Sequence, residues 1–394
     1  MQMKNDALAA IADALIRRSA EVIQANAADI ASAKQRGISD ALLDRLTLTR
    51  ERIEDIAKGV RQVMELPDPI REVISMWKRP NGLTIGQRRV PIGVIGIIYE
   101  ARPNVTADAA ALCLKSSNAV VLRGGSEAIH SNTAIVKIMR DAVAEAGLPA
   151  DCVCLLEDTS RETAAEMMKL NEYIDLLIPR GGKGLIQSVV KNATVPVIQT
   201  GEGNCHVYID GQCDRDMAMD ITINAKVSRP AVCNAAETLL IDKAVADELL
   251  PEIVKALRQN GVEVRGCALS RKICGDADVL PATEEDFYTE YNDYIISVKV
   301  VDGIKEAIHH INRHGTKHSE AIVTTDYSKA QIFLQQIDAA AVYVNASTRF
   351  TDGFEFGFGA EIGISTQKMH ARGPMGLKEL TTIKYIIYGD GQVR

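Results

Sequence analysis

Residues 4–65 place apolar side chains at helical spacing and are rich in alanine, which predicts two or three helices divided at Gly37 and at a Ser39-Asp40 cap. Leu66-Pro67-Asp68-Pro69 ends this run, because proline cannot continue a helix. Residues 72–90 alternate apolar and polar positions around Pro80-Asn81-Gly82, the pattern of two strands joined by a tight turn. From residue 90 short apolar strands alternate with helical stretches: strands at 94–98, 119–122, 153–157 and 174–178, helices at 106–116, 126–146 and 162–169. A second alternation starts near Cys205, with strands expected at 238–241, 262–264, 295–300, 321–324 and 341–345. Strands and helices in turn predict parallel sheets covered on both faces. The fold class is therefore α/β, with two doubly wound domains.

Three strand-like segments, 72–79, 83–90 and 382–388, belong to neither alternation. They are expected to form a small projecting sheet whose edge invites another subunit, making the chain a homo-oligomer. The expected division is 1–204 for one large domain (excluding 68–90), 205–365 for the other, and 68–90 with 376–394 for oligomerisation. Gly353-Phe354-Glu355-Phe356-Gly357-Phe358-Gly359 is too irregular for a strand and reads as a loop.

Charge narrows the function. Lys and Arg total 45 against 52 Asp and Glu, a net charge of −7, and no basic block is present, which disfavours nucleic acid. No apolar stretch approaches a membrane span, and the N-terminus lacks the apolar core of a signal peptide. Eight cysteines are scattered through the chain, with Cys152 and Cys154 the only close pair, which suits a reducing cytoplasm better than a disulfide scaffold.

One cysteine stands apart. Cys233 follows Lys226-Val227-Ser228-Arg229-Pro230 and precedes the apolar run Leu239-Leu240-Ile241. Upstream positive charge or a helix N-terminus favours the thiolate, so Cys233 is a candidate nucleophile, with a buried packing thiol as the alternative. The remaining seven cysteines are assigned to packing, Cys205 being notable for its place at the expected domain junction. Three strand ends lead through turns into helices: Tyr99-Glu100-Ala101-Arg102-Pro103-Asn104, Arg123-Gly124-Gly125-Ser126-Glu127 and Pro179-Arg180-Gly181-Gly182-Lys183-Gly184. Each either offers backbone N–H groups to an anion or serves as a plain α/β turn. His309, His310, His314 and His318 read as a solvated helix end rather than a metal site, since Gly315 interrupts their spacing and no cysteine joins them.

Together these segments resemble the aldehyde dehydrogenase superfamily, and within it most closely the gamma-glutamyl phosphate reductases. The resemblance is carried by residues 90–106 and 117–128, Thr200-Gly201-Glu202-Gly203-Asn204-Cys205-His206-Val207-Tyr208, the Cys233 segment, Thr289-Glu290-Tyr291 and residues 344–353. It implies an enzyme that reduces L-glutamyl 5-phosphate to glutamate 5-semialdehyde through a thioester on Cys233. Arg123 and Ser126 stand where NAD-selective relatives carry a lysine and a glutamate, which implies NADPH, since serine does not repel a 2′-phosphate and arginine binds one. Gly125, Gly181, Gly182 and Glu290 complete the implied cofactor set. Gln199, 34 residues before Cys233, replaces the glutamate base of water-using members, which fits a thioester kept from hydrolysis. Arg102, Arg229 and Arg349 are the implied substrate anion partners. The Cys233 N–H and Asn104 are the candidate oxyanion donors, Asn104 being equally a helix cap. A transient contact with glutamate 5-kinase would supply the labile acyl phosphate. The competing readings are an oxidative aldehyde dehydrogenase and a noncatalytic partner of that kinase.

Overall fold

A computed structural model describes residues 2–38, 40–100 and 102–394. Contacts divide the chain into two compact units: residues 1–200 with 357–363 and 374–394, and residues 201–356 with 364–373.

The first unit opens with four helices: α1 (Gln2–Arg17), α2 (Ser19–Gln35), α3 (Asp40–Leu46) and α4 (Arg50–Glu65). The periodicity suggested two or three. The extra boundary falls at Arg18, where the chain bends with no change in apolar pattern to mark it. Ser39 of the expected cap lies outside the described residues. In α4, Ile53, Ile56, Ala57, Val60 and Val63 make one buried stripe, and the Thr49 side chain caps the Arg52 N–H at 3.3 Å.

Next come β1 (Val73–Lys78), β2 (Thr84–Pro91), β3 (Val94–Tyr99), α5 (Asn104–Lys115), β4 (Ala119–Arg123), α6 (Ile129–Glu145), β5 (Val153–Leu155), α7 (Arg161–Met167), β6 (Leu176–Arg180) and α8 (Lys183–Asn192). Strands β3 to β6 form a parallel sheet in the order β5-β4-β3-β6. The order reverses beside β3, so the turns following β3, β4 and β6 share one sheet edge, the usual ligand edge of such sheets.

The second unit contains β7 (Cys205–Ile209), α9 (Arg215–Val227), β8 (Ala236–Asp242), α10 (Lys243–Gln259), β9 (Glu263–Gly266), α11 (Ala268–Cys274), β10 (Leu280–Pro281), β11 (Ile295–Val301), α12 (Gly303–His314), β12 (Ser319–Val323), α13 (Tyr327–Gln336) and β13 (Ala341–Val344). Its seven strands are parallel in the order β10-β9-β11-β8-β7-β12-β13. Every residue of β8 is buried, as expected of a strand covered on both faces. Helix α10 packs Ala246, Leu249, Leu250, Ile253, Val254 and Leu257 against this sheet, at helical spacing.

The chain ends with two short rungs, β14 (Ile364–Ser365) and β15 (Gly373–Pro374), and then β16 (Thr381–Tyr388). Strand β16 returns to the first unit and pairs antiparallel with β2, giving a three-stranded sheet β1-β2-β16. Residues 353–359 form turns, as their composition suggested.

Candidate active site

The second unit holds Cys233 in the turn between α9 and β8. The sulfur side chain is partly buried, and the Ala235 N–H closes the turn on the Val232 carbonyl at 3.0 Å. Gly203 lies directly beneath. A Cβ at Gly203 would sit 1.4 Å from the Cys233 carbonyl oxygen, so only glycine allows this approach. Cys205 Sγ donates to the same carbonyl at 3.2 Å. The Gly203 N–H donates to Glu290 Oε1 at 2.8 Å, which brings Glu290 into the support of the Cys233 turn.

Asn234 fastens the other side. Its Nδ2 donates to the Thr351 carbonyl at 2.9 Å and the Arg349 carbonyl at 3.2 Å, while its own carbonyl accepts from Thr348 Oγ1 at 2.7 Å. The Arg349 guanidinium returns the contact, donating through Nη1 to Asn234 Oδ1 and through Nε to Ser228 Oγ at 3.0 Å. Burial and then the neighbouring Arg229 press the Arg349 pKa below its ordinary value, while Asp352 and Cys233 oppose that shift. The structure thus gathers Cys233, Arg229, Arg349 and Glu290 around one turn.

The electrostatics differ from the sequence reading in two ways. Cys233 stands at a turn leading into a strand, not at a helix N-terminus. Lys226, expected to favour the thiolate, is fully buried and donates to Glu237 Oε2 at 2.6 Å. Arg349 is a cation whose charge couples to the Cys233 thiol, and its distance in sequence hid it.

The histidines are also corrected. His309 is exposed, but His310, His314 and His318 are buried, so they are not a solvated helix end. The His310 and His314 rings stack at 4.0 Å, and His206 meets His310 edge-on at 5.6 Å. Burial drives the His310 pKa down to about 2 and that of His318 to about 4. A cysteine does join them: Cys205 Sγ lies 3.7 Å from His318 Nδ1.

In the first unit, register places Ile98 beside Arg123 and Tyr99 beside Arg180, so the three strand-to-helix turns are adjacent. Arg123 is half-buried and donates through Nη2 to the carbonyls of Thr159 and Ser160, at 2.5 and 3.1 Å. Its Nε is buried with no hydrogen-bond partner among the described residues. Gly125 is extended and opens a short 3-10 turn in which Ser126 is exposed. At the third turn the Gly182 N–H donates to Glu100 Oε2 at 2.8 Å, and a Cβ on Gly181 would come within 2.6 Å of that carboxylate. The residue that meets the Gly181-Gly182 backbone is therefore a glutamate of this chain, a role the motif gave no sign of.

Arg102 is exposed, and Ala101 lies outside the described residues. Asn104 is the first residue of α5. The cap position belongs to Pro103, which offers no side-chain bond, so Asn104 does not act as the cap. Its Nδ2 donates instead to Asp108 Oδ2 at 3.2 Å. Burial pushes the Asp108 pKa up to about 6, against the Asn104 bond and the Arg180 charge.

Comparison with known proteins agrees with this architecture. The aldehyde dehydrogenase family model matches residues 7–265 and 287–386. Gamma-glutamyl phosphate reductase of Caldicellulosiruptor bescii is 65% identical over 393 residues, covering 99% of this chain and 94% of the relative. The enzyme of the same name from Clostridium perfringens strain SM101 is 64% identical over 391 residues, with 99% and 94% covered. The crystal structure of gamma-glutamyl phosphate reductase from Thermotoga maritima superimposes with a TM-score of 0.98 at 53% identity, covering 100% of this chain and 94% of that one. An engineered glycolyl-CoA reductase with bound NADP+ shares the fold, with a TM-score of 0.68 at 18% identity over 98% of this chain and 91% of its own. The chain belongs to the aldehyde dehydrogenase family and, within it, to the gamma-glutamyl phosphate reductases.

Proposed function

We propose that this enzyme reduces L-glutamyl 5-phosphate to L-glutamate 5-semialdehyde with release of phosphate, the second step of proline biosynthesis from glutamate. The observation that carries the reading is the Cys233 turn, braced by Gly203, Asn234 and Arg349, in a chain 65% identical to a relative of that activity. The Cys233 thiolate attacks the acyl carbon, the C–O bond to phosphate breaks, and a thioester forms on Sγ. Arg349, with Arg229 beside it, supplies positive charge for the leaving phosphate and the substrate carboxylate. Arg102 is the third anion partner in this reading. The oxyanion of each tetrahedral species needs donors already in place, a role assigned to the Cys233 N–H and to Asn104.

Family membership makes the hydride donor a nicotinamide cofactor. The residues present fit such a group: Gly181 and Gly182 are exposed at one sheet edge, Gly125 opens the neighbouring turn, Arg123 keeps a buried Nε with no partner among the described residues, and Glu290 stands beside the thiol turn. A bound nicotinamide would supply the hydride that converts the thioester to the aldehyde and frees Sγ. Arg123, with serine rather than a carboxylate at position 126, supports NADPH over NADH. Gln199 in place of a base supports a thioester protected from water.

The sheet β1-β2-β16 supports a homo-oligomer. Ile74, Met76, Ile383, Tyr385 and Ile387 on its outer strands are 45%, 49%, 44%, 54% and 60% exposed, which is costly to leave in water. A transient contact with glutamate 5-kinase and a cytoplasmic location belong to the same reading. Among the described residues no helix is long and apolar enough to cross a membrane.

The deciding experiment is the reverse reaction, followed as NADP+ reduction with glutamate semialdehyde, with and without inorganic phosphate. Phosphate-dependent turnover that falls at least about ten-thousandfold in Cys233→Ala is expected. Turnover without phosphate would make water the acceptor and the chain an oxidative dehydrogenase. A folded protein inactive in both conditions would favour the noncatalytic reading.

A further inference from the structure

Two fully buried charged side chains have no part in the chemistry above. Lys226 lies in the last turn of α9 and Glu237 is the second residue of β8, so they flank the turn that carries Cys233. Lys226 Nζ donates to Glu237 Oε2 at 2.6 Å, and neither side chain has any solvent exposure. Burial pushes both groups toward their neutral forms, the glutamate up to about 7 and the lysine downward. A buried pair of this kind is seldom the most stable filling for its site, since an apolar pair of like volume is often as good or better. Its presence calls for a reason other than stability.

The second oxygen of Glu237 supplies one. Glu237 Oε1 accepts the backbone N–H of Asn292 at 3.2 Å, two residues beyond Glu290. Glu290 in turn accepts the N–H of Gly203, the residue wedged under the Cys233 carbonyl. Asn292 has φ of 55°, a left-handed backbone that the bond from Glu237 helps to hold. One carboxylate therefore connects both ends of the nucleophile turn to the loop that aims Glu290. An apolar pair would fill the space but could not hold that loop.

We propose that the Lys226–Glu237 pair is a positioning device for the reaction: it fixes the span of the Cys233 turn and sets Glu290 in register with it. The inference rests on Cys233 being the nucleophile and Glu290 a cofactor residue. Neither Lys226 nor Glu237 touches a reacting atom in this scheme. Loss of the pair should loosen the thiol and misplace Glu290 together.

The test compares full-length wild-type protein with Glu237→Gln and with the volume-matched double variant Lys226→Met/Glu237→Leu. Two quantities are read: the pH profile of Cys233 alkylation by iodoacetamide without substrate or cofactor, and kcat and KM in the phosphate-dependent reverse assay. The double variant is expected to melt cooperatively near the wild-type temperature, with a displaced alkylation profile. Its KM for NADP+ should rise about tenfold, and adding Glu290→Gln should cost little more. A folded double variant with wild-type alkylation and KM would overturn the proposal. So would loss of the melting transition in both variants, since the pair would then be structural only. Cys233→Ala separates the two readings: retained turnover there removes the nucleophile assignment, whereas the Cys233 alkylation profile of the double variant still reports on the clamp.

Discussion

The sheet edge of the first unit and the thiol turn of the second solve similar problems with different materials. At the edge, the proposed cofactor positions are glycines together with the half-buried Arg123 and the exposed Ser126. Gly181 and Gly182 are exposed, and one carboxylate, Glu100, meets their backbone. At the turn the side chains that brace the Cys233 segment from below are buried and bonded. Asn204, Cys205, Asn234, Lys226, Glu237, Thr348 and Thr351 are all buried, and Glu290 holds Gly203 from the side. The difference follows from what each region must do. A surface that receives a large ligand needs open backbone donors, which glycine leaves accessible. A nucleophile must be held within a fraction of an ångström of its attack position, which takes locked side chains and satisfied hydrogen bonds.

Three substitutions press on this contrast. Gly203→Ala should be the most damaging, because its Cβ would overlap the Cys233 carbonyl and backbone must move on one side or the other. A loss of roughly 3 kcal/mol or more in unfolding free energy is expected in urea melts. A fall of about a hundredfold in kcat should accompany it. A variant with wild-type kcat would mean that the turn tolerates displacement. Arg349→Lys comes next. Lysine keeps the charge but cannot hold Asn234 and Ser228 at once, so kcat/KM should fall about tenfold with only a small change in melting temperature. Equal activity would show that Arg349 acts as a point charge alone.

The smallest effect belongs to the edge. Asp108 has its pKa raised from 3.8 to about 6 by burial, so its contribution to stability is complete below its ordinary value and is lost as pH rises through about 6. Asp108→Asn should therefore gain roughly 1–2 kcal/mol at pH 7 and nothing at pH 3, read from melting curves across pH. A gain at both pH values would mean the effect is packing rather than charge.

Much of the fold was legible in the sequence. Alternation of short apolar strands with helices marked both doubly wound sheets, and the 72–90 and 382–388 segments marked a third. The boundary at Arg18 was not legible, because a helix can bend between polar residues without disturbing the apolar period. Cys233 stood out as the candidate nucleophile through its local motif. Arg349 was visible as a cation but not as the thiol's neighbour, since 116 residues separate it from Cys233. Burial of His310, His314 and His318 escaped for a related reason: histidine has no period that tells a core position from a surface one.

The sequence by itself determined the class of fold and the family and singled out Cys233 as the candidate nucleophile, because these depend on local spacing and short motifs that survive as a string. Only the tertiary structure decided which charges act on the thiol. It placed Lys226 against Glu237 and Arg349 beside the Cys233 turn, and it set Glu100 rather than open space against Gly182. The reason is physical. Electrostatic and hydrogen-bond partners are chosen by distance and burial in three dimensions, and the crossovers of a parallel sheet bring together residues that the chain keeps far apart.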